Sequence, residues 1–241
     1  MILKIGLFVL ITLIITGLLA TIQQKINLDF EKIVLPQLAP TIGFFIIVIL
    51  FKNQQTPITS DFNKLIALKS LLALVLPILL ITIAFTIGKM IGLKPKLTND
   101  LTPLISVMFI GIIIGAIGEE IGWRSFLQPE LEKNNSVIFA SIIVGLIWGL
   151  WHIGHYKNGV LFMIGFLMFT ISASIILAWI LRETKYNIII AVLFHTSINI
   201  GFFILFKNSL TNSKLMIING IVWLIPAVGI LIMTGKNLIK T

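Results

Sequence analysis

The stretch 101-LTPLISVMFIGIIIGAIGEEIGWRSFLQPEL-131 opens with eighteen uncharged residues, Leu101 to Gly118, and then sets Glu119, Glu120 and Arg124 within six positions. An uncharged run of that length suits the hydrocarbon of a bilayer, which asks for about 20 apolar residues per helix. Charges at its end are costly there, at least about 2.5–3.5 kcal/mol each at mid-bilayer on insertion scales. Whether this helix lies in a membrane decides the fold, and the rest of the chain answers.

The chain has 241 residues, 58% of them hydrophobic and 11% charged, with a mean hydropathy of +1.09. Soluble domains do not have this composition. In lipid every backbone polar group must be satisfied within its own segment, which points to helices. The sequence therefore predicts an all-α polytopic membrane protein with about eight transmembrane helices, at roughly 3–22, 34–51, 70–92, 102–128, 137–153, 159–181, 187–206 and 215–234. Connections are short, so residues 1–241 read as a single membrane domain. The first segment is long, and no small-residue cleavage site follows it, so it reads as an uncleaved helix rather than a secretory signal. The loop 52-KNQQTPITSDFNK-64 reads as polar and solvated, and Pro36, Pro40 and Pro77 as kink sites.

Eighteen Lys and Arg against nine acidic residues give a net charge of +9. The cations sit singly in loops, as membrane-surface anchors do, so nucleic acid is not an expected partner. Their division between the two sides is too even to assign an orientation. The chain has no Cys, which excludes thiol catalysis, disulfides and Cys-ligated metals.

Gly111, Gly115, Gly118 and Gly122 form a stripe down one helical face, and Gly145 and Gly149 repeat the device in 145-GLIWGLWHIGH-155. Such spacing lets another helix approach closely. Glu120 and Arg124, at i and i+4, are placed to pair. Glu119 is about 140° round the helix from Arg124, so it faces elsewhere. All three histidines, His152, His155 and His195, lie in or near apolar segments, and Asn199 follows His195 by one turn. At 1.5 Å per residue, Glu119, His152, His195 and Asn199 lie roughly 14, 22, 12 and 18 Å from one face, so all four can share a layer. His155 lies about a turn deeper, as a supporting or interfacial residue.

These residues carry a resemblance. 119-EEIGWR-124, 148-WGLWH-152 and 195-HTSIN-199 are similar, in order and on successive helices, to the EExxxR, FxxxH and HxxxN-type motifs of the CPBP family, the Abi or type II CAAX protease-like intramembrane peptidases. The departure is Trp148, an aromatic where the family carries Phe. The resemblance covers about 119–199 and implies a catalytic core near 101–205. It implies Glu119 as general base on water assisted by His152, with His195 and Asn199 stabilising the oxyanion and Glu120, Arg124 and Trp148 supporting.

Such a site suits peptide hydrolysis. A carboxylate in apolar surroundings is a competent base toward water, and Asn or His N–H groups can steady an oxyanion. Two His and a Glu, here His152, His195 and Glu119, could instead hold Zn2+ with an open position for water. There is no HExxH, and the preferred expectation is catalysis without a cofactor. The expected function is an intramembrane endopeptidase acting on a membrane-associated peptide or protein, as in leader processing, peptide maturation or bacteriocin immunity, in a bacterial plasma membrane. The alternatives are lipid or lipoprotein acyl transfer, a non-proteolytic regulatory scaffold, and, further off, a proton-coupled transporter.

Overall fold

The computed structural model describes residues 2–52 and 59–234. In chain order come α1 (Ile2–Lys25), a 3-10 turn (Leu35–Leu38) leading into α2 (Ala39–Leu50), and α3 (Lys64–Met90). Next, α4 (Val107–Gly122) runs through a π-helical turn (Trp123–Leu127) into α5 (Gln128–Glu132). Then come α6 (Val137–Trp151), a 3-10 stretch (Ile153–Asn158), α7 (Val160–Leu181), α8 (Ile188–Phe206) and α9 (Ser213–Thr234). Among the described residues there is no strand, and Thr59 and Asn187 form an isolated bridge.

Polar residues mark the helix starts. Asn63, Ser106, Ser136 and Asn187 accept hydrogen bonds from Ile66, Met108, Phe139 and Ile189 at the openings of α3, α4, α6 and α8. Each satisfies a backbone N–H that has no partner within the helix. Pro36 and Pro40 also start helices, where their missing N–H costs nothing. Pro77 lies inside α3, which continues through it.

Among the described residues five helices, α1, α3, α7, α8 and α9, are long and apolar enough to cross a membrane. The expected eight are not reached on length and composition. The other three expected spans, 34–51, 102–128 and 137–153, contain shorter elements. The twelve residues of α2 extend about 18 Å and the fifteen of α6 about 22 Å, short of the ~30 Å hydrocarbon. Hydropathy windows count turns and irregular ends as helix. Gln37 and His152 lie just outside α2 and α6, and Glu119 and Glu120 in the last turn of α4.

Close approach through glycine organises the bundle. A Cβ on Gly145 would stand 2.5 Å from Ile171 Cα, so α6 lies directly on α7. A Cβ on Gly220 would stand 2.6 Å from the Gly165 carbonyl oxygen, so α9 lies on the opposite part of α7. The α3 helix packs along α8. The stripe on α4 receives irregular chain at Gly111, the 3-10 turn at Gly115 and Gly118, and the start of the α2 helix at Gly122. Gly111, Gly115, Gly118 and Gly122 lie against Lys32, Gln37, Gln37 again and Pro40, so the 32–40 segment threads along α4. Gln23, fully buried on α1, holds that segment: its amide donates to the Ile33 carbonyl (2.6 Å) and accepts from Leu35 N (2.8 Å).

Residues 53–58 of the expected solvated loop lie outside the described residues. Its described end is docked: Ile188 N donates to Thr59 O (2.9 Å) and Asn187 Nδ2 to Asp61 O (2.8 Å).

Candidate active site

The glutamate pair sits at the end of α4, just before its π-helical turn. Glu120 is buried, and Arg124 Nε donates to its Oε2 at 3.0 Å. Arg124 Nη1 continues to Ser174 Oγ on α7 at 2.8 Å. The other Glu120 oxygen accepts from His195 Nδ1 on α8 at 2.8 Å. Glu120 therefore joins its helical cation to the imidazole of another helix, and fixes that ring's orientation. A carboxylate that also bonds Arg124 only accepts, so Nδ1 carries the hydrogen.

Glu119 points the other way, as its angular offset from Arg124 requires. It has no exposed surface. Gln37 Nε2 donates to its Oε1 at 2.8 Å, and the indole Nε1–H of Trp148 donates to its Oε2 at 2.7 Å. His195 Nε2 stands 3.9 Å from Oε1. His195 thus lies between the two carboxylates, one imidazole nitrogen toward each. The cluster holds two carboxylates against one permanent cation, Arg124. One further proton, on His195 or on Glu119, makes it neutral, the arrangement a low-dielectric interior favours.

A cavity of about 590 Å3 opens beside this cluster, lined by Gln37, Trp148, His152, His155, His195 and Asn199 and by apolar side chains including Phe166, Phe169 and Phe202. His152 ends α6, and its Nδ1 is 2.8 Å from the Trp148 carbonyl oxygen. A carbonyl can only accept, so a neutral His152 keeps its Nε2 lone pair available. His155 stacks on His152 with ring centroids 5.5 Å apart and planes 6° from parallel. His152 leaves the α-helical backbone and His155 lies in the 3-10 stretch that follows. Within a membrane, irregular backbone is tolerated where protein buries it or it lines a cavity.

The expected residues are brought together in part. His152, His195 and Asn199 line one cavity, and Glu119 and Glu120 both approach His195. The Trp148 indole stands between Glu119 and His152, 6.0 Å from the His152 ring centroid, and no hydrogen bond joins His152 to Glu119 among the described residues. His155, expected one turn away, shares the cavity. The His152, His195 and Glu119 set expected for zinc does not form a three-ligand group among the described residues.

Sequence reasoning passed over Gln37, Ser174 and the hydrogen bond of Trp148. The glycine stripe was the available signal for Gln37, since it marks where foreign chain must lie. Nothing in the sequence says which chain comes.

The segment that carries all three motifs also decides the family. Residues 101–201 match the family model for type II CAAX prenyl endopeptidase, Rce1-like. This segment belongs to the CPBP/Abi family. No curated protein matches the chain. The Rce1-like family is a protease family, and the match supports a CAAX-type intramembrane endopeptidase. Together with five apolar helices it makes the chain an integral, multi-pass membrane protein. The Rce1-like segment spans Glu119 to Asn199 and leaves Gln37 outside.

Proposed function

We propose that this chain hydrolyses a peptide bond of a membrane-associated peptide or protein, with Glu119 as the base that prepares water. The catalytic core is residues 101–205 of one membrane domain. The observation that carries this reading is a fully buried carboxylate held by cavity-lining side chains, Gln37, Trp148 and His195.

In this mechanism water bound in the cavity gives a proton to Glu119 as its oxygen attacks the substrate carbonyl carbon. His195, with Nδ1–H tied to Glu120 and a second proton on Nε2, donates to the developing oxyanion alongside the Asn199 amide. That protonation state leaves Glu119, Glu120, Arg124 and His195 summing to zero charge. His152, whose Nδ1–H is held by the Trp148 carbonyl, offers Nε2 to orient the water. Collapse of the tetrahedral intermediate breaks the C–N bond, and the proton held by Glu119 passes to the leaving amine. No metal is needed for any of these steps.

A prenylated CAAX-type peptide is the first substrate to try, and leader or immunity peptides are the next. Glu119→Gln preserves shape and removes the base, so cleavage in proteoliposomes should fall about 10²–10⁴-fold. Full activity in that variant would refute the assignment. Unchanged peptides alongside an altered lipid-acylation profile would favour acyl transfer instead.

A further inference from the structure

We propose that Gln37 is a positioning residue for Glu119, supplied from outside the family-matched segment. It builds on the reading of Glu119 as the base. An ionised carboxylate offers only acceptors, so the amide nitrogen of Gln37 must face it, as it does at 2.8 Å. The terminal torsion of a glutamate is broad and soft. Trp148 anchors Oε2 alone, which leaves Oε1 free to swing. Gln37 anchors Oε1, the oxygen that faces His195, and so fixes which oxygen is presented beside the cavity.

Gln37 is itself held in place. Its 3-10 turn begins at Leu35, whose N–H is bound by buried Gln23, and the chain just beyond it is tied down where Thr41 Oγ1 donates to Gly118 O at 2.7 Å. Gly115 gives the amide its room: a Cβ there would fall 2.2 Å from Gln37 Oε1 and 2.6 Å from its Cδ. The glycine stripe therefore serves the site as well as the packing. It holds open the slot through which an amide from near α2 reaches the α4 carboxylate.

The test uses the full chain in lipid nanodiscs, with glutamate 13C-labelled at its side-chain carboxyl. The infrared carboxylate band of Glu119 is assigned by its absence in Glu119→Gln. In Gln37→Leu the band should shift, and kcat on a quenched farnesylated CAAX-type peptide should fall about 10–100-fold with KM little changed. Gly115→Ala should shift the same band with Gln37 still present, and Gly115→Ala with Gln37→Leu should be no worse than Gln37→Leu alone. Melting temperature confirms folding. If Gln37→Leu does not fold, Gln37→Asn, which is too short to reach, should give the same band shift. A band unmoved in these variants, or losses that simply add in the double variant, overturns the proposal. If the wild type leaves the peptide uncut, that substrate assignment fails separately, and the band still decides the role of Gln37.

Discussion

Two clusters of carboxylates lie a few turns apart on α4 and α5, and they are built differently. The inner one, Glu119 and Glu120, is buried, shares one histidine and abuts a cavity. The outer one holds Glu130 and Glu132 just past Pro129. Lys133 pairs with Glu130, and Glu132 accepts from the Tyr186 hydroxyl and from Gln128, which also reaches Ser141. That set ties α5 to α6 and to the turn between α7 and α8, where Lys185 and Tyr186 both have positive φ. None of Glu130, Glu132 and Tyr186 lines the cavity beside the inner cluster. Burial of a carboxylate is therefore no mark of chemistry on its own. The inner cluster differs because its groups share a histidine and a cavity lies beside them.

The strongest way to break this contrast is to remove the inner cation. Arg124→Met leaves Glu120 buried with no permanent positive charge, and breaking a buried pair costs about 3–5 kcal/mol. Loss of most folded protein in detergent, by yield and melting temperature, is expected. Lys133→Met in the outer cluster removes a half-exposed cation from the buried Glu130 and should lower the melting temperature less than Arg124→Met, whose pair is buried on both sides. Equal effects of the two substitutions would erase the distinction.

Next in size is the stripe. Gly118→Ala places a methyl 2.6 Å from the Gln37 carbonyl oxygen and 3.1 Å from Leu38 Cα, both backbone, so the 3-10 turn must move. Overpacking of this kind costs about 1–3 kcal/mol, and cleavage should fall with it because Gln37 shifts. Gly17→Ala on α1 meets nothing within 4 Å and should be neutral or slightly stabilising. Comparable damage at both positions would show that the stripe has no special role.

Much of this was legible beforehand. Charge poverty and apolar runs announced a helical membrane protein, and the i to i+4 spacing of Glu120 and Arg124 announced their pair. The angular offset of Glu119 separated it from that pair. What could not be read were contacts made across the fold. Gln37 is 82 positions from Glu119 and Ser174 is 50 from Arg124, and no local pattern links them. The expected count of spans is not confirmed where α2 and α6 stop short, because hydropathy registers apolar residues and is blind to whether their backbone is helical.

A smaller effect tests Trp148, which the sequence offered only as a bulky substitute for Phe. Trp148→Phe keeps an aromatic beside His195, 5.3 Å away between centroids, and deletes the indole N–H on Glu119 Oε2. Gln37 still holds Oε1, and the family resembled carries Phe at this position. With that second anchor in place activity should drop less than about tenfold, below the roughly 1.5–3 kcal/mol that a lone hydrogen bond to a charged group contributes. A complete loss would mean that the indole, rather than Gln37, governs the carboxylate.

The smallest effect belongs to the outer cluster and is read as pH dependence. Burial holds the Glu132 carboxyl above the usual glutamate range, against the pull of its Tyr186 and Gln128 hydrogen bonds. The folded protein then keeps this proton more tightly than the unfolded chain does. Stability from this group is full below the ordinary glutamate pKa and declines as pH rises through the folded value. Burial likewise pushes the Tyr186 phenol up, with the Glu132 charge adding to it, so a second decline begins above the ordinary phenol value of about 10. Glu132→Gln should flatten the acid-side slope of melting temperature against pH, and Tyr186→Phe the alkaline one. Neither should change cleavage at neutral pH, because neither side chain lines the cavity beside Glu119. A loss of activity in Glu132→Gln with an unchanged melting temperature would join the two clusters into one functional unit.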